Sequence, residues 1–195
     1  MPFLLAASYY FYMSWNAKYA LLLLFSTVLT YGCARLIGKT ESAKCRKAFL
    51  ILCLILQLGI LFGMKYLNFA VSLLARLLLL VHVELTVPAF DIVIPVGISF
   101  YTFQALSYVI DVYRKEESAE KNFFQYALYV SFFPTILSGP IERSKNLLTQ
   151  IRQQKRFDPE KIVTGLLIMA FGYFQKLIIA GRASVMVDHV YQNPD

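Results

Sequence analysis

A chain of 195 residues with 58% hydrophobic and 16% charged side chains is more apolar than an average soluble domain, which runs at roughly 45–50% apolar and about 25% charged. Its net charge of +7 comes from lysines and arginines gathered in short gaps between apolar runs, a pattern that argues against a nucleic-acid-binding face and fits the basic loops of a membrane protein. Several of the charge-free runs are as long as a bilayer requires, which a soluble core does not need.

The first two charge-free runs, Met1 to Ala17 and Tyr19 to Ala34, give a hairpin of Pro2 to Trp15 and Tyr19 to Ile37 joined by Asn16-Ala17-Lys18, too short for anything but a tight turn. Tyr9, Tyr10, Tyr12 and Trp15 sit near it and place the turn at headgroup level, where amphipathic aromatics are favoured. Gly38 to Lys47 is then a polar loop on the opposite side, with Lys39, Lys44, Arg46 and Lys47 marking it as cytoplasmic.

A third run, Ala48 to Met64, leads into Tyr66 to Val83, which is apolar apart from Asn68, Ser72, Arg76 and His82. This segment either spans or lies in the interface. Charge bookkeeping favours spanning, which puts Asp111 to Lys121 outside and the basic stretch Arg143 to Lys161, with Lys145, Arg152, Lys155 and Arg156, inside.

Ile92 to Ile110 and Asn122 to Ile141 are two further candidate spans, and Ile162 to Gln175 is a sixth that extends to Ala180 if Lys176 snorkels. The prediction is an all-α fold: a polytopic transmembrane helical bundle of six to seven spans, forming one membrane domain, with a broken helix near Pro134 to Pro140. Cys33, Cys45 and Cys53 lack zinc-like spacing and read as packing residues or a free loop thiol. The first run lacks a basic leading region and is not read as a removed signal peptide.

Two stretches carry the chemistry. In Ile94 to Arg114, Gly97, Tyr101, Gln104, Tyr108 and Asp111 recur at steps of four, three, four and three, so they share one helix face. Such a face either hydrogen-bonds to neighbouring helices or lines a path for a polar substrate, with Asp111 and Arg114 at its mouth. In Ser131 to Ile151, Pro134 and Pro140 interrupt an apolar run, and Ser138-Gly139-Pro140 precedes Glu142 and Arg143. This corner is either a gate or substrate-binding element, or an interfacial turn before a short amphipathic helix, Ser144 to Arg152.

His82 and His189 have no metal-ligand spacing, and the sequence contains no P-loop, GxGxxG or GxSxG motif. Spacing alone therefore names no reaction.

PVGISFYTFQALSYVIDVYR (Pro95 to Arg114) and SFFPTILSGPIERSKNLLTQI (Ser131 to Ile151) resemble the signature region of the membrane-bound O-acyltransferase family, in its bacterial branch of alginate O-acetyltransferases and D-alanyl transfer proteins. Weaker similarity runs through Tyr9 to Ile37 and Gly172 to Pro194. The resemblance implies a multi-pass enzyme of the cytoplasmic membrane that moves an acyl group, here acetyl, from a cytoplasmic donor to hydroxyls of a cell-envelope polysaccharide such as alginate. It implies no bound cofactor, with an acetyl or D-alanyl carrier as donor substrate. The partners it implies are the lipid bilayer, the donor or its carrier protein, and the polysaccharide acceptor or an extracytoplasmic partner transferase.

The family's essential histidine lies in a Trp-x-x-x-His-Gly setting, which this sequence lacks: Trp15 is its one tryptophan, and neither His82 nor His189 matches. Residues 1–195 accordingly read as a partial domain, without the catalytic C-terminal half and the first helix, and inactive alone because no general base is within reach. Two other readings compete: a transporter-like or scaffold protein, and an accessory subunit that assembles with a separate catalytic half.

Overall fold

The computed structural model describes residues 1–79, 94–137, 139–153 and 157–192, and every regular element among them is helical. The chain divides into two units, Met1–Gln153 and Gln154–Asp195. Ser138, His82, Lys155 and Arg156 lie outside the described residues.

The first unit opens with α1 (Pro2–Trp15), whose proline occupies the first turn, where a missing N–H costs nothing. Asn16 ends α1 in an extended conformation and caps α2 (Ala17–Lys39), its side chain accepting from the Lys18 N–H at 3.0 Å. A short connection then reverses the chain into α3 (Ala43–Lys65).

Helices α2 and α3 are locked by a buried polar pair. Gln57 donates from Nε2 to Ser26 Oγ at 2.7 Å and to the Ser26 carbonyl at 3.1 Å. Both side chains are almost wholly buried, so each satisfies a group that would otherwise be stranded in apolar surroundings.

After α4 (Leu67–Leu79), helix α5 (Ile98–Tyr113) returns through the middle of the unit, packed on α2 and α3. Asn122 caps α6 (Phe123–Ser131) by accepting from the Phe124 and Gln125 N–H groups. Phe132 breaks the helix before the single turn α7 (Phe133–Ile136), which Pro134 starts, and α8 (Ser144–Arg152) packs back on α6.

Tyr101, Tyr108, Tyr126 and Tyr129 are among the largest fully buried side chains. The rings of Tyr108, Tyr126 and Tyr129 cluster, with Tyr108 and Tyr126 at 4.8 Å and Tyr126 and Tyr129 at 6.1 Å. The Tyr126 hydroxyl donates to Thr30 Oγ1 at 2.8 Å, tying α6 to α2.

This packing corrects the expected topology. Arg46, at the start of α3, donates to the carbonyls of Val112 and Tyr113 at the end of α5. Tyr31 donates to the Lys121 carbonyl, Lys145 pairs with Glu116, and Arg152 pairs with Glu117 and Glu120. Gly38 to Lys47, Asp111 to Lys121 and Ser144 to Arg152 therefore share one end of the unit, rather than alternating between two.

Helix α5 runs antiparallel to α3, with Arg46 at the start of α3 meeting the end of α5, so the chain between them makes no net crossing. The shared end gathers the basic loops, while the opposite end, at the Asn16 turn and the Tyr66 bend, carries Lys18 and Lys65. The positive-inside rule is thus better served than by the spanning alternative.

Helices α2 and α3 are each long and apolar enough to cross a membrane. The second unit adds a third such helix, Pro159–Gln192, built from α9 (Pro159–Phe174), a π-helical turn (Gln175–Ala180) and α10 (Gly181–Gln192). Asp158 caps it by accepting from the Lys161 N–H. None of its described side chains is buried, and Leu166, Leu167, Ile168, Met169 and Phe171 expose apolar surface around the whole helix, as a membrane span does.

The count of six to seven spans is not matched at this level. Helix α1 has 14 residues, α5 has 16 and α6 has 9, against the ~20 of a straight crossing.

Candidate functional site

The polar face of α5 is where the sequence places it, on the protein side. Pro95 is buried, and Gly97 begins the helix at φ +74, a left-handed conformation that suits glycine. A Cβ here would also overlap the Ile136 carbonyl oxygen, so the glycine allows α7 to touch the start of α5.

One turn on, Tyr101 is 1% exposed and meets Tyr12 edge to face at 6.5 Å. The Tyr12 hydroxyl donates to the Val96 carbonyl at 3.1 Å, whereas the buried Tyr101 hydroxyl has no partner among the described residues. Gln104 donates from Nε2 to the Tyr129 carbonyl at 2.7 Å, and the Tyr129 hydroxyl returns a bond to the Gln104 carbonyl at 3.3 Å.

Further along, the Tyr108 hydroxyl accepts from the Glu120 N–H at 2.7 Å. Asp111 Oδ2 accepts from the Ser144 hydroxyl at 3.4 Å. Arg114 is exposed and lies 4.0 Å from Glu116.

The proline corner is laid against this helix. Ile136 sits beside Gly97 and Ser144 beside Asp111, about 21 Å apart along α5 at ~1.5 Å per residue. Residues 139–143 between them belong to no regular element, and Arg143 is extended. A helical run, broken at Phe132, therefore goes one way along α5 and a non-helical run comes back.

Two contacts hold the return. The Tyr129 hydroxyl donates to the Glu142 carbonyl at 2.9 Å. Gly139 donates to the Thr135 carbonyl at 3.1 Å and has no room for a Cβ against Thr135 Cα. Pro140 and Arg143 are exposed, and Glu142 is half-buried.

The structure thus brings Gln104 together with Glu142 through Tyr129, and Asp111 together with the start of α8. Arg114 and Arg143 face solvent. Tyr126 and Tyr129 are missing from the sequence-derived set although they hold it in place; their three-residue spacing on α6 was the available signal.

The loop end is strongly charged. Burial pushes the Glu120 carboxyl up, but the Asn122 N–H and the Arg152 guanidinium outweigh it and hold the group below its ordinary value. Burial lowers Arg152, and the hydrogen bond and charge of Glu120 more than reverse this. Lys145 lowers Glu116 by hydrogen bonding to it.

At this end α2, α3 and the α5–α6 loop enclose a cavity of about 790 Å³. Its lining includes Arg46 and Lys115 but none of the sequence-derived site residues. No cluster of three or more potential metal ligands occurs among the described residues.

The chain is 34% identical to the probable alginate O-acetylase AlgI of Pseudomonas aeruginosa and 33% identical to that of Azotobacter vinelandii, each over 98% of its length. It is 29% identical to the peptidoglycan O-acetyltransferase of Helicobacter pylori over 95% of its length. These matches cover 37%, 38% and 39% of the relatives, so the chain spans under two-fifths of their length. They bear out the resemblance carried by Pro95 to Arg114 and Ser131 to Ile151. No protein-family model and no solved structure matches the chain.

Proposed function

From its kinship with the bacterial membrane-bound O-acyltransferases, we propose that this chain is the front portion of an enzyme that transfers acetyl groups to hydroxyls of a cell-envelope polysaccharide, such as alginate. The observation that carries this reading is the similarity to two named O-acetylases along 98% of the chain, including both polar stretches around α5.

On this reading α1 and α5 join the three long helices as passes through the cytoplasmic membrane, and the broken α6–α7 run with its return forms a re-entrant pair that starts and ends at the basic loop end. The basic loop end faces the cytoplasm, where the acetyl or D-alanyl donor arrives on a carrier. The polysaccharide, or a partner transferase that hands acyl groups to it, is met on the other side. Tyr101, Gln104, Tyr108 and Asp111, with the Gly139 to Arg143 corner and Arg114, form one wall of the substrate path.

The wall orients and excludes; it does not supply the base. General-base removal of the acceptor proton needs a group within hydrogen-bond reach, and no histidine here stands in the Trp-x-x-x-His-Gly setting. The 195 residues alone are accordingly inactive.

Deleting the coding stretch for this chain from its host tests the reading. Ester-linked acetyl on the envelope polysaccharide, measured by proton NMR, falls if the reading holds and returns on complementation. Unchanged acetyl content overturns it.

A further inference from the structure

The cavity at the loop end has an unusual charge balance. Arg35 and Lys39 from α2, Arg46 from α3, and Lys115 and Lys121 from the α5–α6 loop all line it, against Glu41, Glu116 and Glu117.

Two of those carboxylates are neutralised from outside. Glu116 pairs with Lys145 at 3.1 Å, and Glu117 with Arg152 at 3.2 Å, and neither cation lines the cavity. None of the five lining cations has a carboxylate partner among the described residues. Arg46 spends one end on the Val112 and Tyr113 carbonyls, and its buried Nε–H has no acceptor there. Five cations therefore face a cavity in which Glu41 is the one lining carboxylate without an ion-pair partner among the described residues.

We propose that this cavity binds a phosphate-bearing anion. Clustered cations from three separate elements, with their local carboxylates held by outside partners, fit the several acceptor oxygens and multiple charge of a phosphoryl group. The volume is large enough for more than one phosphate, and a site at the end of a membrane bundle is open to two sources: the headgroup of an anionic lipid or a soluble phosphoryl compound. The site is separate from the α5 wall and does not depend on acetyl transfer.

The test uses the purified chain in neutral detergent, titrated with inorganic pyrophosphate in one arm and dioctanoyl phosphatidylglycerol in the other. Dioctanoylglycerol is the uncharged control, and ligand-induced rise in unfolding temperature is the readout. Saturable binding of pyrophosphate assigns the site to soluble phosphoryl compounds; saturable binding of the phospholipid, without binding of dioctanoylglycerol, assigns it to lipid.

In either arm the variant K39Q/K115Q/K121Q, all at exposed positions, weakens binding about tenfold or more, given the strength of basic side chains acting together on anionic surfaces. Glu41→Gln strengthens binding by about threefold, since it removes the one lining carboxylate that lacks an ion-pair partner; a gain cannot come from misfolding. No binding in either arm, or binding that the triple variant and Glu41→Gln leave unchanged, overturns the proposal.

Discussion

Gln104 and Tyr129 bond to each other's backbone carbonyl in both directions, at 2.7 Å and 3.3 Å, and the same Tyr129 hydroxyl reaches Glu142 at 2.9 Å. This pair therefore fixes the returning chain to α5. Tyr129→Phe removes both hydroxyl bonds while keeping the ring. Amide exchange over residues 141–143 rises, with a loss of stability of about 1 kcal/mol; unchanged exchange there shows that the return is held by something else.

The start of α5 gives a sharper effect. Gly97→Ala places a methyl group on the Ile136 carbonyl at a left-handed position and costs about 3 kcal/mol or more, as backbone strain and overlap combine. Gly32→Ala, in the middle of α2 with nothing near its Cβ, is neutral or stabilising by up to about 1 kcal/mol. Thermal unfolding of the two variants in detergent separates them.

The Ser26–Gln57 pair is expected to show coupling. Ser26→Ala leaves the Gln57 amide short of a partner, and Gln57→Leu leaves the Ser26 hydroxyl short. Each single change costs about 0.6 to 1.7 kcal/mol, the range for inter-helix hydrogen bonds in membranes. The double variant loses less than the sum, which a double-mutant cycle measures directly.

Acid lowers stability through the α5–α6 loop. Because the folded-state Glu120 carboxyl is held below its ordinary 4.5, its contribution is complete above that value and is lost as pH falls toward the folded-state value. Glu120→Gln reduces stability at neutral pH and flattens the decline below about pH 4.5. An acid profile of the same slope in both proteins would show that Glu120 is not its source.

Much of this was legible in the sequence. The stripe from Gly97 to Asp111 was set by helical period and does face the protein, and the break expected near Pro134 to Pro140 falls just ahead of it, at Phe132. What periodicity could not give was which neighbours meet the stripe, because Tyr129, Ser144 and Glu120 arrive from separate elements.

The side of Asp111 to Lys121 departs from the expectation. A spanning Tyr66 to Val83 puts that loop outside, whereas the antiparallel packing of α5 on α3, with Arg46 at the Val112 and Tyr113 carbonyls, puts it with Gly38 to Lys47. Lys145 and Arg152, paired with Glu116, Glu117 and Glu120, put Ser144 to Arg152 at the end that also holds Gly38 to Lys47, which agrees with the side that the basic residues give this stretch.

Radiolabelled acyl transfer tests the functional account most directly. Membranes containing the 195 residues are compared with membranes containing the same chain continued through the reading frame that follows Asp195, each supplied with labelled acetyl donor and polysaccharide acceptor. The account predicts ester-linked label from the continued chain alone. Label transferred equally by both, or by neither, would contradict it.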